Sequence, residues 1–271
     1  MTRIKAVRPF EWAFPARPAE RELISALPDG DTGKPPLLFV HSLAHGAWCF
    51  AEHWLGAAAE RGFGAYAVSL RGHGGSSGGD RLRRTRLRDY VHDVIQAAAT
   101  LPSQPVLIGH SLGALAVARA LARYPARAAV LLAPVPPGQG VGLAVHLARV
   151  APAAMARAVI GRTVPFRPEH LFHSSDAAVH LFRLGAESPL VQYQLALHRR
   201  PERPLGEPPV LVVGAGEDRL VPPRVLARTA RFYGTDPVVI PDIGHDLMLD
   251  AGWERPLTTI LDWVEALEEP A

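Results

Sequence analysis

Short apolar runs alternate with longer amphipathic runs along most of this chain, and that alternation restricts the possible folds severely. The apolar runs are rich in leucine and β-branched residues, as strands buried on both faces of a sheet are. They cover residues 37–40, 65–70, 105–109, 128–133, 210–213 and 237–240. Runs with helical spacing lie between or after them, at 48–61, 86–101, 112–124, 223–233 and 254–267. The pattern predicts an α/β fold, a mostly parallel central sheet flanked by helices.

The alternation stops after Pro134 and resumes near residue 210. The residues between are rich in Ala and Arg and are interrupted by Pro152, Pro165, Pro168 and Pro189. We expect one or two edge strands before Lys34. We predict that residues 136–209 form a helical cap inserted between strands 6 and 7. Residues 1–135 and 210–271 then form one core domain. We expect most apolar cap residues to pack on the core and a subset to line a substrate pocket; they include Leu143, Val150, Met155, Leu171, Phe172, Leu181, Phe182 and Leu184.

Composition narrows the classes of partner. The chain has 271 residues and a formal net charge of only +3, so a polyanionic partner is not indicated. The basic stretch at 81–88 lacks interleaved aromatic residues and reads as a solvated helix face, without nucleic-acid binding. The single Cys49 excludes an internal disulfide and suits a reducing compartment. Without a signal-like segment or an apolar run of spanning length, we predict a cytoplasmic protein with no membrane span. The oligomeric state stays open.

The segment Gly109-His110-Ser111-Leu112-Gly113 follows an apolar run and precedes a helical one. This G-x-S-x-G pattern between a strand and a helix is typical of a nucleophile elbow, a sharp turn that exposes the serine. Glycines permit such a turn because a Cβ would crowd the adjacent strand and helix. The helix that follows directs backbone N–H groups at the serine and stabilises negative charge beside it. We predict that Ser111 is a nucleophile.

A serine hydroxyl needs a base within hydrogen-bond reach to act at neutral pH. His245 follows the last apolar run, where a parallel sheet places its reacting groups. Asp218 follows the preceding run and would accept the other N–H of His245, which fixes the tautomer. The adjacent Glu217 is the competing acid. The order Ser, Asp, His along the chain is the one expected for this elbow.

Over nearly its whole length the chain resembles the α/β-hydrolase superfamily, in its capped esterase and lysophospholipase-like branch. The motifs that carry the resemblance are Leu37 to His41 with Gly46-Ala47-Trp48, Leu70 to Ser76, the elbow, Gly214 to Pro222, and Gly244-His245. It implies that the backbone N–H groups of Leu43 and Leu112 hold the oxyanion. The family usually has His-Gly before the first donor, whereas this chain has His41-Ser42. We expect His41 and His110 to support the site without touching the substrate.

No cofactor is expected. His41 and His45 have a spacing that would suit a metal site on a helix, but they lie in a loop without an accompanying carboxylate motif. The glycines at 72–79 match neither a P-loop nor a dinucleotide-binding frame, so we predict no nucleotide.

These residues predict a serine hydrolase that cleaves a small-molecule carboxylic ester, or a related acyl bond, through an acyl-enzyme on Ser111. The substrate is expected to carry an apolar acyl or alcohol group. Two alternatives stay open: a lyase similar to the hydroxynitrile lyases, which uses the same triad, and a non-catalytic small-molecule receptor on the same fold.

Overall fold

A seven-stranded sheet lies at the centre of the protein. The computed structural model describes residues 15–138, 140–159 and 166–267. The strands are β1 Leu23–Ala26, β2 Leu37–Val40, β3 Ala65–Val68, β4 Val106–His110, β5 Ala128–Leu132, β6 Val210–Ala215 and β7 Pro237–Ile240. Their order across the sheet is β1-β3-β2-β4-β5-β6-β7. Only β1 runs antiparallel, at the edge beside β3. The predicted α/β fold is confirmed.

Two layers of helices cover the sheet, which explains why its strands are apolar on both faces. In β2, Leu37 and Phe39 pack into one hydrophobic cluster, whereas Leu38 and Val40 pack into the other. The first layer consists of α1 Trp48–Ala51, α2 Trp54–Glu60 and α10 Glu254–Ala266, and the second of α3 Leu87–Ala99, α4 Leu112–Ala120 and α9 Pro223–Tyr233. The single helix predicted at 48–61 is two helices in the structure, because the chain turns at Glu52 and His53.

In its described part, the segment between β5 and β6 consists of short helices and loops and contains no strand. It contains α5 Val141–Val150, α6 Pro152–Val159, α7 Pro168–Leu171, α8 Pro189–Leu197 and a 3-10 helix, Asp176–Arg183. We call it the inserted segment. Among the described residues one strand, β1, precedes β2, so the insertion follows the fifth described strand, where the sequence predicts the sixth; residues 1–14 lie outside the described part. Pro165 lies outside the described residues as well, and the boundaries 136 and 209 stay predictions.

The structure bears on two expectations from composition: that the basic stretch is a solvated face and that no segment spans a membrane. Arg81, Arg83 and Arg84 are exposed on a short 3-10 helix, Gly79–Arg84. Within the described ranges, every helix is too short or too polar to cross a bilayer. The cytoplasmic location stays a prediction.

The turn between β4 and α4 is unusually tight. Ser111 stands alone between them with φ 51° and ψ −108°, a left-handed conformation that costs a non-glycine residue on the order of 1 kcal/mol or more. A Cβ on Gly109 would lie 2.5 Å from the carbonyl oxygen of Gly113. A Cβ on Gly113 would clash with the carbonyl oxygen of Val40 on the neighbouring strand. Both glycines are therefore required by close backbone packing, as the sequence predicts.

Replacing Gly113 by alanine should lower the free energy of unfolding by about 1 to 3 kcal/mol, since the added methyl group meets backbone that cannot rotate away. Gly142 offers a matched control: it is likewise the second residue of its helix, and a Cβ there meets nothing within 4 Å. Gly142→Ala should be neutral or raise the stability by about 0.5 to 1 kcal/mol. Urea unfolding followed by tryptophan fluorescence measures both. Equal effects of the two substitutions would contradict the steric explanation.

Candidate active site

The carboxyl ends of the parallel strands bring the predicted site residues together. Ser111 follows β4, Asp218 follows β6 and His245 follows β7. Ser111 and His245 line one cavity of about 340 Å³, together with Ser42, Leu43 and residues of the inserted segment. Residues more than 130 positions apart in the chain thus share one site because the loops at this edge converge.

Asp218 is the acid that reaches His245. Its Oδ2 accepts a hydrogen bond from His245 Nδ1 at 2.8 Å. Its Oδ1 accepts from the backbone N–H groups of Leu220 and Val221, at 2.8 and 2.9 Å, which fixes the carboxylate plane. Glu217 is exposed to solvent. A proton held on Nδ1 leaves Nε2 of His245 as an acceptor.

The environment of His245 favours its protonated form. Burial lowers the pKa of His245, but the Asp218 carboxylate, with a smaller contribution from Asp246, outweighs burial and leaves the pKa above its ordinary value. The site therefore stabilises an imidazolium, the species that forms when a histidine takes a proton from a serine.

Buried polar groups hold the loop that carries His245. His110 Nε2 donates a hydrogen bond to the carbonyl oxygen of His245 at 2.9 Å. Burial, together with the nearby His245, lowers the pKa of His110 to about 3, so its ring is neutral at neutral pH. His110 thus lies where its predicted supporting role requires.

A second buried histidine–carboxylate pair lies next to the first. His45 Nε2 lies 3.1 Å from Asp246 Oδ2, and both side chains are buried. Burial raises the pKa of Asp246, but His45 outweighs it and the pKa lies below its ordinary value. The sequence analysis, which rejected a metal site for His45 and expected it at the surface, did not foresee this pair: the surface expectation is wrong. Asp246 was missed as well; its only signal is its position beside His245.

One group of residues in the described part has the spacing of a metal site: His110, His245 and Asp246, with ligand atoms within 4.8 Å of one another. All three already make close protein contacts, His245 through its Nδ1 to Asp218. His110 Nε2 donates to a backbone carbonyl and Asp246 Oδ2 contacts His45. We assign the group to the hydrogen-bond network that holds the His245 loop.

The loop after β2, His41–His45, is held from several sides, and we call it the oxyanion loop. His41 Nδ1 lies 2.7 Å from the carbonyl oxygen of Ser42, and its Nε2 accepts from Leu70 N–H at 2.9 Å, which puts the ring proton on Nδ1. Burial lowers the pKa of His41, which keeps the ring neutral. Because C=O and N–H point in opposite directions across a trans peptide, this bond directs the N–H of Leu43 away from His41.

The two predicted oxyanion donors are both available. Leu43 N–H donates to no protein group in the described ranges of the chain. Leu112 is the first residue of α4, where an N–H has no partner within the helix. Ser42 in place of glycine does not prevent this arrangement, since the ring of His41 orients the Ser42 peptide.

The inserted segment covers the cavity with apolar side chains. Of the predicted residues, Leu143, Met155 and Leu171 line the cavity, with Leu147, Phe166 and Leu195, which were not singled out. Phe172, Leu181 and Leu184 pack into or against the core, whereas Phe182 is 80% exposed. Helical periodicity does not distinguish these faces, because a segment between sheet and solvent contacts apolar groups on more than one side.

Removing the Asp218 charge should lower the pKa of His245 below its ordinary value, because burial then acts almost alone. The measurement is an NMR pH titration of the His245 ring in Asp218→Asn. Glu217→Gln is the matched control and should leave the His245 pKa unchanged. An unchanged titration in Asp218→Asn would show that another group stabilises the imidazolium.

Known proteins resemble this chain in sequence and structure. Residues of this chain are 36% identical over 124 positions to a probable esterase, PIR7A, of Oryza sativa, with 43% of this chain covered. The chain spans 45% of the length of that relative. A monoacylglycerol lipase of Mycolicibacterium smegmatis is 29% identical over 249 residues, covering 82% of this chain and 86% of the relative.

Solved structures show the same fold at lower identity. A monoacylglycerol lipase of Paleococcus ferrophilus superposes with a TM-score of 0.67 at 21% identity, covering 92% of this chain and 98% of that one. A soluble variant of monoglyceride lipase from Saccharomyces cerevisiae superposes with a TM-score of 0.71 at 11% identity, covering 92% of each chain. The family model of the alpha/beta hydrolase family matches residues 37–258. The chain therefore belongs to the alpha/beta hydrolase family.

Proposed function

We propose that this protein hydrolyses carboxylic esters of small molecules through an acyl-enzyme on Ser111. The observation that carries the proposal is the hydrogen bond of 2.8 Å between His245 and Asp218, in a site where His245 and Ser111 line the same cavity. The esterases and monoacylglycerol lipases among its relatives and structural neighbours support a hydrolase acting on ester bonds.

In the proposed reaction Ser111 Oγ attacks the ester carbonyl carbon while His245 Nε2 takes the serine proton. The N–H groups of Leu43 and Leu112 stabilise the oxyanion, each donor contributing on the order of 10² to 10³ in rate. His245 returns the proton to the leaving alcohol, then activates water to release the acid. Because the base must be neutral and its pKa is raised, the rate should fall as the pH drops through that pKa.

The shape and chemistry of the cavity support an apolar substrate group. Leucine, methionine and phenylalanine side chains of the inserted segment line it, as do Gln192 and Tyr193 on α8, and Ser111 and His245 line the same cavity. A cavity of about 340 Å³ accommodates an acyl chain or an aromatic alcohol. We therefore propose an ester with one apolar arm, whose carbonyl group lies at Ser111.

Ester turnover is tested with p-nitrophenyl esters of increasing chain length, alongside labelling with a fluorophosphonate. Ser111→Ala should abolish both turnover and labelling while the protein stays folded. His245→Ala should cost about as much as Ser111→Ala, and the double substitution little more, since the residues act as a unit. Labelling without ester turnover would favour the lyase. Neither labelling nor turnover would favour the receptor.

The inserted segment should determine which esters are accepted. Leu143→Phe reduces the cavity and should lower kcat/KM for long-chain relative to short-chain esters by about 10-fold to 200-fold. Phe182→Ala, an exposed position of the same segment, is the control and should leave the ratio unchanged. Labelling by a small fluorophosphonate should survive in both variants, because the elbow belongs to the sheet. An unchanged ester preference in Leu143→Phe would place specificity elsewhere.

A further inference from the structure

The inserted segment also reaches the oxyanion loop, through a carboxylate that the reaction described above does not use. Glu187 precedes α8 and is 4% exposed. Its Oε2 accepts a hydrogen bond from the backbone N–H of Ala44 at 3.2 Å. Two residues earlier, the N–H of Gly185 donates to the carbonyl oxygen of Ala44 at 2.7 Å. Both backbone groups of Ala44 are thus bound by the inserted segment.

Ala44 needs such contacts because its backbone is strained. It has φ 61°, in the left-handed region that residues with a Cβ avoid. A strained residue persists only when its surroundings hold it. On its other side, the carbonyl of Leu43 lies 2.7 Å from His45 Nδ1. The peptide between Leu43 and Ala44 is therefore held at its oxygen by His45 and at its N–H by Glu187.

Further contacts of Glu187 come from the core and from the next residue of the chain. Its Oε1 accepts from the hydroxyl of Tyr90 on α3 and from Ser188 N–H, both at 2.6 Å. Its Oε2 lies 3.3 Å from His73 Nε2, and Glu187 helps to raise the pKa of His73 although burial lowers it. His73, a residue of the Leu70 to Ser76 motif, thus contacts the Glu187 carboxylate. The carboxylate joins the inserted segment, the oxyanion loop and α3 at one buried point.

We infer that Glu187 is a positioning residue for the oxyanion donor of Leu43. The bonds to Ala44 fix the peptide that follows Leu43. The position of the inserted segment on the core therefore sets the geometry of the oxyanion loop. The inference rests on the proposed function, because it assigns Leu43 N–H to the reaction. The segment that covers the substrate then also holds the oxyanion loop in place. A displacement of the segment would lower the rate as well as change selectivity.

The substitution that tests this is Glu187→Gln, which keeps the shape and one acceptor oxygen. That oxygen can satisfy Tyr90 and Ser188, but the amide NH₂ now faces Ala44 N–H and cannot accept from it. We expect kcat on a short p-nitrophenyl ester to fall about 10-fold to 100-fold, below the loss for removing a donor outright. KM should change less than threefold, since the donor acts on charge that develops in the transition state. Glu187→Asp, which keeps both acceptor oxygens, should recover part of the rate.

Two controls separate positioning from general stability. Tyr90→Phe removes a hydrogen bond from the same carboxylate without touching Ala44, and should lower the melting temperature while kcat stays within about twofold. Glu169→Gln makes the same change at a surface position of the inserted segment and should change neither. Equal losses of kcat in Tyr90→Phe and Glu187→Gln, or an unchanged kcat in Glu187→Gln, would overturn the inference.

A second readout does not depend on activity. Amide hydrogen exchange at Ala44, followed by NMR, should be faster in Glu187→Gln than in the parent and unchanged in Glu169→Gln. Unchanged exchange at Ala44 in Glu187→Gln would overturn the inference even if the parent hydrolyses esters. Exchange at Ala44 could be faster in Glu187→Gln while the parent shows no ester turnover. That result would overturn the proposed function, and with it the role assigned to Leu43.

Discussion

The close approach of α4 to β2 is the constraint on which the site depends. At Gly113 the helix backbone lies so near the carbonyl oxygens of Val40 and His41 that a Cβ could not fit between them. This contact leaves one residue, Ser111, to connect β4 to α4 in a left-handed conformation. It also places the first N–H of the helix beside the loop that follows β2. Ser111, the helix N-terminus and the oxyanion loop are neighbours because these two backbones are in contact.

Around that contact, the site contains buried histidines that differ in the charge state their surroundings favour. His41 and His110 lie among groups that keep their rings neutral, and each contacts a backbone carbonyl. His245 instead faces a carboxylate and is held ready to become charged. Burial alone would make all of these rings neutral. The position of Asp218 is what gives one of them a different pKa and makes it suitable as a base.

The inserted segment contributes chemistry to two parts of the site. Its apolar residues line the cavity that Ser111 also lines, and its buried Glu187 accepts a hydrogen bond from Ala44 in the oxyanion loop. A cover that only enclosed the substrate would not need a carboxylate inside the protein, where a charge is costly unless several donors satisfy it. The donors to Glu187 come from Ala44, Tyr90 and Ser188, in three different parts of the chain.

The α/β architecture could be predicted from the sequence alone, which also predicted the turn at Ser111 and the pairing of His245 with Asp218. Those features follow from local patterns: strand and helix periodicity, a glycine pair, and chain order. Three features required the folded structure: His45 buried against Asp246, Glu187 bonded to Ala44, and the particular apolar residues of the inserted segment that line the cavity. These contacts join residues 143 to 201 positions apart, and nothing in the neighbouring sequence indicates them. Long-range packing brings such residues together, and it leaves no periodic signal in the chain.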